Sequence, residues 1–303
     1  MASFVFLTSL LLIFLTPMAL WSETLPPPLV YTRGDTVLFK TEGPPREIGH
    51  GRQPALSAGA RQAVWVEHGD DPARAQLTLC DIALGQAVPL AKTGGYLASP
   101  RFSPDGRSIV FLRRTEAGMS ELWSVRPGEK PHRLAQAGGQ AGDDFFEPVF
   151  SPADGRIMYH DMGFLYAMSP AGQVIAKTPL THFTQGRAGV FTSTDRFVPR
   201  PNSTALAFSM PVEGSPLFRK KVPDLSSALF LFDPQSGKVS RLTPKNITAF
   251  APAWTPDGSA LTFTGYDDKQ AGSAWPFRIW MVRPDQPPVD MGPGEDPMPA
   301  SGP

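Results

Sequence analysis

Residues 102–107 read Phe102-Ser103-Pro104-Asp105-Gly106-Arg107, and two later stretches repeat the pattern: Phe150-Ser151-Pro152-Ala153-Asp154-Gly155-Arg156 and Trp254-Thr255-Pro256-Asp257-Gly258. Proline sets φ at the second position of a turn, aspartate bonds its own local backbone, and glycine takes the positive φ that closes a hairpin. Pro104, Asp105, Gly106, Asp154, Gly155, Pro256, Asp257 and Gly258 therefore read as structural residues of a strand-to-strand corner. A proline closely precedes each corner (Pro100, Pro148, Pro252). A β-type run follows each: Ile109-Val110-Phe111, Ile157-Met158-Tyr159 and Leu261-Thr262-Phe263.

Two weaker copies extend the series. Pro54-Ala55-Leu56-Ser57-Ala58-Gly59 leads into Ala63-Val64-Trp65-Val66, and Phe197-Val198-Pro199-Arg200-Pro201-Asn202 leads into Leu206-Ala207-Phe208. With Ser57, Ser103, Ser151, Val198 and Thr255 taken as equivalent, the steps are 46, 48, 47 and 57 residues, the long one holding an insertion around residues 213–224. After the second strand of each unit comes a third, such as Glu121-Leu122-Trp123-Ser124-Val125 or Arg278-Ile279-Trp280-Met281-Val282. A more polar fourth often closes it, as in residues 237–243. Four strands in roughly 45 residues make one propeller blade, and blades must stack in a ring to bury both faces.

Residues 29–48 look like strands two to four of a further blade that lacks its first. The expectation is an all-β repeat protein, a β-propeller of four-stranded blades, six in number, with five as the alternative. The 34 prolines and 28 glycines spread along the chain fit many short strands and tight turns. The propeller spans residues 23–283. The Pro-rich tail, residues 284–303, reads as disordered apart from an edge strand near Val289.

Residues 2–21 carry no charge and end in a polar, Pro-rich break. Residues 1–22 thus read as a signal peptide, or else as an uncleaved N-terminal membrane anchor, since about twenty apolar residues can span a bilayer. Either reading puts the remainder outside the cytoplasm, periplasmic or secreted.

The blocks around Phe102, Phe150 and Trp254, with Asp233-Pro234-Gln235-Ser236-Gly237 and Arg241-Leu242-Thr243, resemble the WD-like propeller repeat of periplasmic TolB over most of residues 50–283. That resemblance covers the propeller part only, because TolB carries an α/β domain ahead of its ring. It implies an extracytoplasmic, monomeric scaffold for a protein or peptide partner in the cell envelope.

Composition excludes some classes. Lys plus Arg (28) equals Asp plus Glu (28), so the chain lacks the cationic footprint of a nucleic-acid binder. There is no Gly-x-Ser-x-Gly, P-loop, His-Glu-x-x-His or Cys-x-x-Cys. The single cysteine, Cys80, lies in an apolar run and reads as an inert buried thiol.

Asp143, Asp144 and Glu147 precede Pro148 and the first strand of a blade, a position near the mouth of a propeller channel. Three carboxylates there are a weak binding site, able to take Ca2+ through oxygen ligands. The simpler reading is a solvated loop, and no cofactor is otherwise expected. His160-Asp161 has the makings of a general-base pair but reads more simply as a strand end. A propeller-fold carbohydrate lyase or hydrolase, working at the channel mouth, is the alternative function. It requires these carboxylates and His160 to converge.

Overall fold

A computed structural model describes residues 27–68, 75–138, 144–187, 190–222 and 225–300. The strands form six antiparallel four-stranded sheets, the blades of a propeller. Blades 2 to 6 take residues 52–91, 96–136, 146–179, 197–241 and 247–293 in chain order. Blade 1 takes residues 29–50 and receives its innermost strand, Glu295–Pro299, from the far end of the chain. Six blades stand and the five-blade alternative falls. The apolar segment 2–21, read as a leader or anchor, lies outside the described residues. Among those described, no helix is long and apolar enough to cross a membrane.

The corner chemistry is local and repeats. Ser103 N donates to Ser108 O at 2.8 Å, Ser103 Oγ accepts from Ser108 N at 2.9 Å, and Asp105 Oδ1 accepts from Arg107 N at 3.0 Å. Asp154 and Asp257 accept in the same way from Arg156 N (3.1 Å) and Ser259 N (3.0 Å). Gly106, Gly155 and Gly258 take φ of 69°, 69° and 68°. In the degenerate copy the hairpin starts at Arg200, whose N donates to Ala205 O at 2.9 Å, and Asn202 supplies the positive φ. The residue equivalent to Ser103 is thus Arg200, two positions beyond Val198, and the repeat is more regular than the sequence spacing suggested.

The tail has the edge strand expected near Val289 but is ordered where disorder was the expectation. Val289–Pro293 is the outer strand of blade 6, and Glu295–Pro299 pairs with Leu29–Arg33, setting Leu29 against Pro299 and Val30 against Met298. Residues 284–300 are therefore ordered parts of two blades. Their prolines are compatible with pairing because Pro297 falls where the ladder slips, so no donor is needed there, and Pro293 and Pro299 stand at the ends of their strands. The exchange also covers the edge that blade 1 would otherwise present, and it ties the two ends of the ring together.

There is no single core. Among the described residues six apolar clusters lie between blades; five join two neighbouring blades, and the one between blades 5 and 6 also takes in Val149 of blade 4. Trp65 and Cys80 fill the seam between blades 1 and 2, and Trp254 and Trp280 fill the seam between blades 5 and 6. The closing seam between blades 6 and 1 is the smallest, with Leu29, Tyr31, Leu38 and Ile279 as its buried members.

Candidate functional site

The innermost strands share one irregularity. Five of them hold a non-glycine residue in the left-handed region: Gln53 (φ 53°), Ser99 (50°), Glu147 (43°), Ala251 (51°) and Asp296 (49°). A proline follows each, and the strand pairing slips at each of these places. Such a backbone costs about 1–2 kcal/mol per residue, and a bulge re-aims the side chain it carries. Here the re-aimed residues meet across blades. Gln53 Oε1 accepts from Ser99 N at 2.9 Å, and Ser99 Oγ donates to Glu147 Oε1 at 2.9 Å. Blade 5 supplies Arg196 at this level. Its Nε donates to Glu147 Oε2 at 2.8 Å, and Arg101 Nη2 reaches the same oxygen at 3.4 Å.

This knot of charge is shut off from water, with the Arg101, Glu147 and Arg196 side chains 5%, 11% and 4% exposed. Burial pushes the Glu147 carboxyl up, but Arg196 and Arg101 outweigh it and the net movement is downward. Burial, then the nearness of Arg196, brings Arg101 down to about 9 against the pull of Glu147 and Asp296. Burial raises Asp296, opposed by Arg196. Beside the knot lies His160, fully buried, with Nε2 at 2.7 Å from Asp195 O and burial lowering its pKa. The Asp195 carboxyl is raised to about 6 by burial, against hydrogen bonds from Thr192 and Ser209.

A cavity lies at each end of the axis. The one at the starts of the innermost strands, about 390 Å³, is polar. Its walls include Asp35, Arg52, Gln53, Tyr96, Trp275 and Asp296. Trp275 is 39% exposed and Tyr96 44%; Trp275 Nε1 donates to Glu295 Oε1 at 3.1 Å, and Tyr96 stacks on His68. The longer connections, the described parts of 180–196 and 213–225 together with 268–277, leave and rejoin the strands on this face. The cavity at the strands' other ends, about 160 Å³, is ringed by the corner prolines.

No protein-family model matches the chain, and neither does any curated protein by sequence. Solved structures do match. TolB from Acinetobacter baumannii superposes with a TM-score of 0.60 at 18% identity, over 91% of this chain and 67% of that one. A TolB structure from Agrobacterium tumefaciens gives 0.55 at 14% identity, over 91% and 94%. The fold is that of the TolB-type propeller. A gluconolactonase from Xanthomonas campestris shares the ring, with a TM-score of 0.56 at 19% identity over 84% and 82%.

Within this TolB-type ring the residues singled out from sequence separate. Asp143 lies outside the described residues. Asp144 accepts from Arg114 Nη2 at 2.7 Å and Ser120 Oγ at 2.9 Å, both of blade 3, whereas Glu147 turns to the axis. Asp161 holds its own turn, accepting from Gly163 N, Phe164 N and Tyr166 Oη, and does not orient His160. Among the described residues no three metal-binding side chains converge. Pro104 and Pro256 line the smaller cavity besides shaping their corners. Sequence reading missed Arg101, Arg196 and Asp296. For Asp296 the available signal was the proline after it, because in each innermost strand that slips the residue before the proline is the one re-aimed; Arg101 and Arg196 carry no such mark.

Proposed function

We propose that this TolB-type propeller is a binding scaffold of the cell envelope, periplasmic or secreted, that docks a protein or peptide partner on its loop-rich face. The observation that carries this reading is the polar cavity of about 390 Å³, where half-exposed Tyr96 and Trp275 flank Arg52, Asp35 and Asp296. Aromatic side chains beside charged groups in a concave, rigid frame are the usual anchors of a docking surface. The uncharged residues 2–21 support export. The test is affinity capture from envelope extract by the full chain, by Trp275→Ala and by Tyr96→Ala. A partner retained by the wild type and lost by both variants is expected, and identical capture by all three removes the docking face. A fusion to a reporter active only outside the cytoplasm tests export separately.

A second reading, a propeller-fold carbohydrate lyase or hydrolase, loses the site expected for it, because Asp144, Glu147, His160 and Asp161 do not converge. It rests instead on the ring shared with the gluconolactonase and on the carboxyls of Glu295 and Asp296 at the cavity. Burial raises both. Turnover of a sugar lactone or oligosaccharide that is lost in Glu295→Gln would replace the scaffold reading with this one.

A further inference from the structure

The cavity at the corner end of the axis has a different chemistry. All six blades contribute apolar side chains to it, and Pro104, Pro152, Pro201 and Pro256 form its rim. Arg101 is the one charged residue among the described residues of its wall. Its guanidinium is short of acceptors. Nη1 donates to the adjoining Pro100 O at 2.7 Å, while Nη2 makes a 3.4 Å contact to a Glu147 oxygen that Arg196 already holds at 2.8 Å. Nε is buried and has no hydrogen-bond partner among the described residues. A buried donor left unpaired is costly, and a cation so placed is relieved by an anion that accepts from its planar fork. The volume, about 160 Å³, is that of an apolar cavity able to hold one benzene ring.

We propose that this cavity binds a small apolar carboxylate of benzoate size, with its ring among the prolines and aliphatic groups and its carboxylate directed at Arg101. The site is at the opposite end of the axis from the docking face and does not depend on it.

The test uses the full chain with benzoate, benzyl alcohol (the ring without the charge) and acetate (the charge without the ring), read by calorimetry and saturation-transfer NMR. Benzoate is expected to bind about tenfold or more tightly than either analogue. Arg101→Gln is expected to erase the preference of benzoate over benzyl alcohol. Because Arg101 belongs to the axial charge knot, Pro152→Trp is measured beside it. Pro152 is exposed at the rim, so the bulky ring blocks entry and leaves the knot in place. Loss of benzoate binding in Pro152→Trp, with an unchanged melting curve, supports the site. Equal affinity for benzoate and benzyl alcohol, full benzoate binding in Pro152→Trp, or no benzoate binding by the wild type overturns it.

Discussion

Arg196 Nε donates to Glu147 Oε2 at 2.8 Å, joining the entry to blade 5 to the innermost strand of blade 4 across 49 positions of sequence. Glu147 also meets Arg101 and Ser99, so one carboxylate ties blades 3, 4 and 5 together at the axis. Removing it takes away the carboxylate that both buried guanidinium groups share, leaving Asp296 as the acidic group that still acts on them.

Glu147→Ala is therefore expected to destabilise by about 3–5 kcal/mol, the range for breaking a buried pair from one side. Arg196→Met should cost less, because Glu147 keeps Arg101 as a partner. Urea unfolding of both variants decides the order, and a larger loss in Arg196→Met would contradict the central place given to Glu147.

Asp195 makes stability depend on pH in an unusual direction. Its folded pKa of about 6 stands above the ordinary aspartate value of 3.8, so between those limits the folded state holds the extra proton. Stability from this group is fully present at the acid end and is lost as pH rises through about 6, up to about 3 kcal/mol. His160 works oppositely, since its lowered pKa removes stability as pH falls below the ordinary histidine value. Asp195→Asn should lose the Asp195 contribution and keep that of His160. The difference in unfolding free energy between wild type and variant, followed from pH 4 to 7, is expected to slope. A flat difference would mean that Asp195 titrates as an ordinary carboxyl.

Two corner glycines should respond differently to substitution. Gly106 has φ of 69° with Ser57 Cβ 3.8 Å from an added Cβ, so Gly106→Val meets backbone strain and costs about 1–2 kcal/mol. At Gly258 an added Cβ would lie 2.8 Å from Pro201 O, in a backbone of φ 68°. Gly258→Ala should lower the melting temperature further than Gly106→Ala. The reverse order would show that the contact with blade 5 gives way easily.

Ring closure rests on the strand Glu295–Pro299 and the small seam beside it. Deleting residues 295–303 exposes the edge of blade 1, and an exposed edge invites pairing between chains. The deletion is expected to lower the melting temperature markedly and to produce oligomers on size-exclusion chromatography. A synthetic peptide of residues 295–300 should reverse part of both effects. A monomeric deletion variant with an unchanged melt would mean that the six blades close without it.

Trp275→Ala is expected to weaken partner binding by about 2 kcal/mol or more, as loss of an aromatic anchor that a partner covers does, with no change in melting. Binding competition against the wild type measures it once a partner is captured.

The blades were legible because their determinants are short. The corner at Ser103–Gly106 is made by residues within six positions of one another, and each β-run declares itself through branched and aromatic side chains. Val198 reads as the counterpart of Ser103 in place of Arg200 because blade 5 lacks the Pro-Asp-Gly signature, and Asn202 there supplies the positive φ that glycine supplies elsewhere. The tail reads as disorder on composition, which does not register that Pro297 sits where a strand needs no donor. The acidic trio reads as one group because its members are neighbours in sequence. A slip in strand pairing at Glu147 turns that side chain to the axis while Asp144 stays with blade 3.

Local turn chemistry and its period near 47 residues, both written in the sequence, determined that this chain folds as a ring of four-stranded units. Which residues share the axis was decided only by tertiary structure. Arg101 of blade 3, Glu147 of blade 4 and Arg196 at the entry to blade 5 come within hydrogen-bond reach, with Asp296 of blade 1 acting on them electrostatically, because the ring brings together charges so distant along the chain.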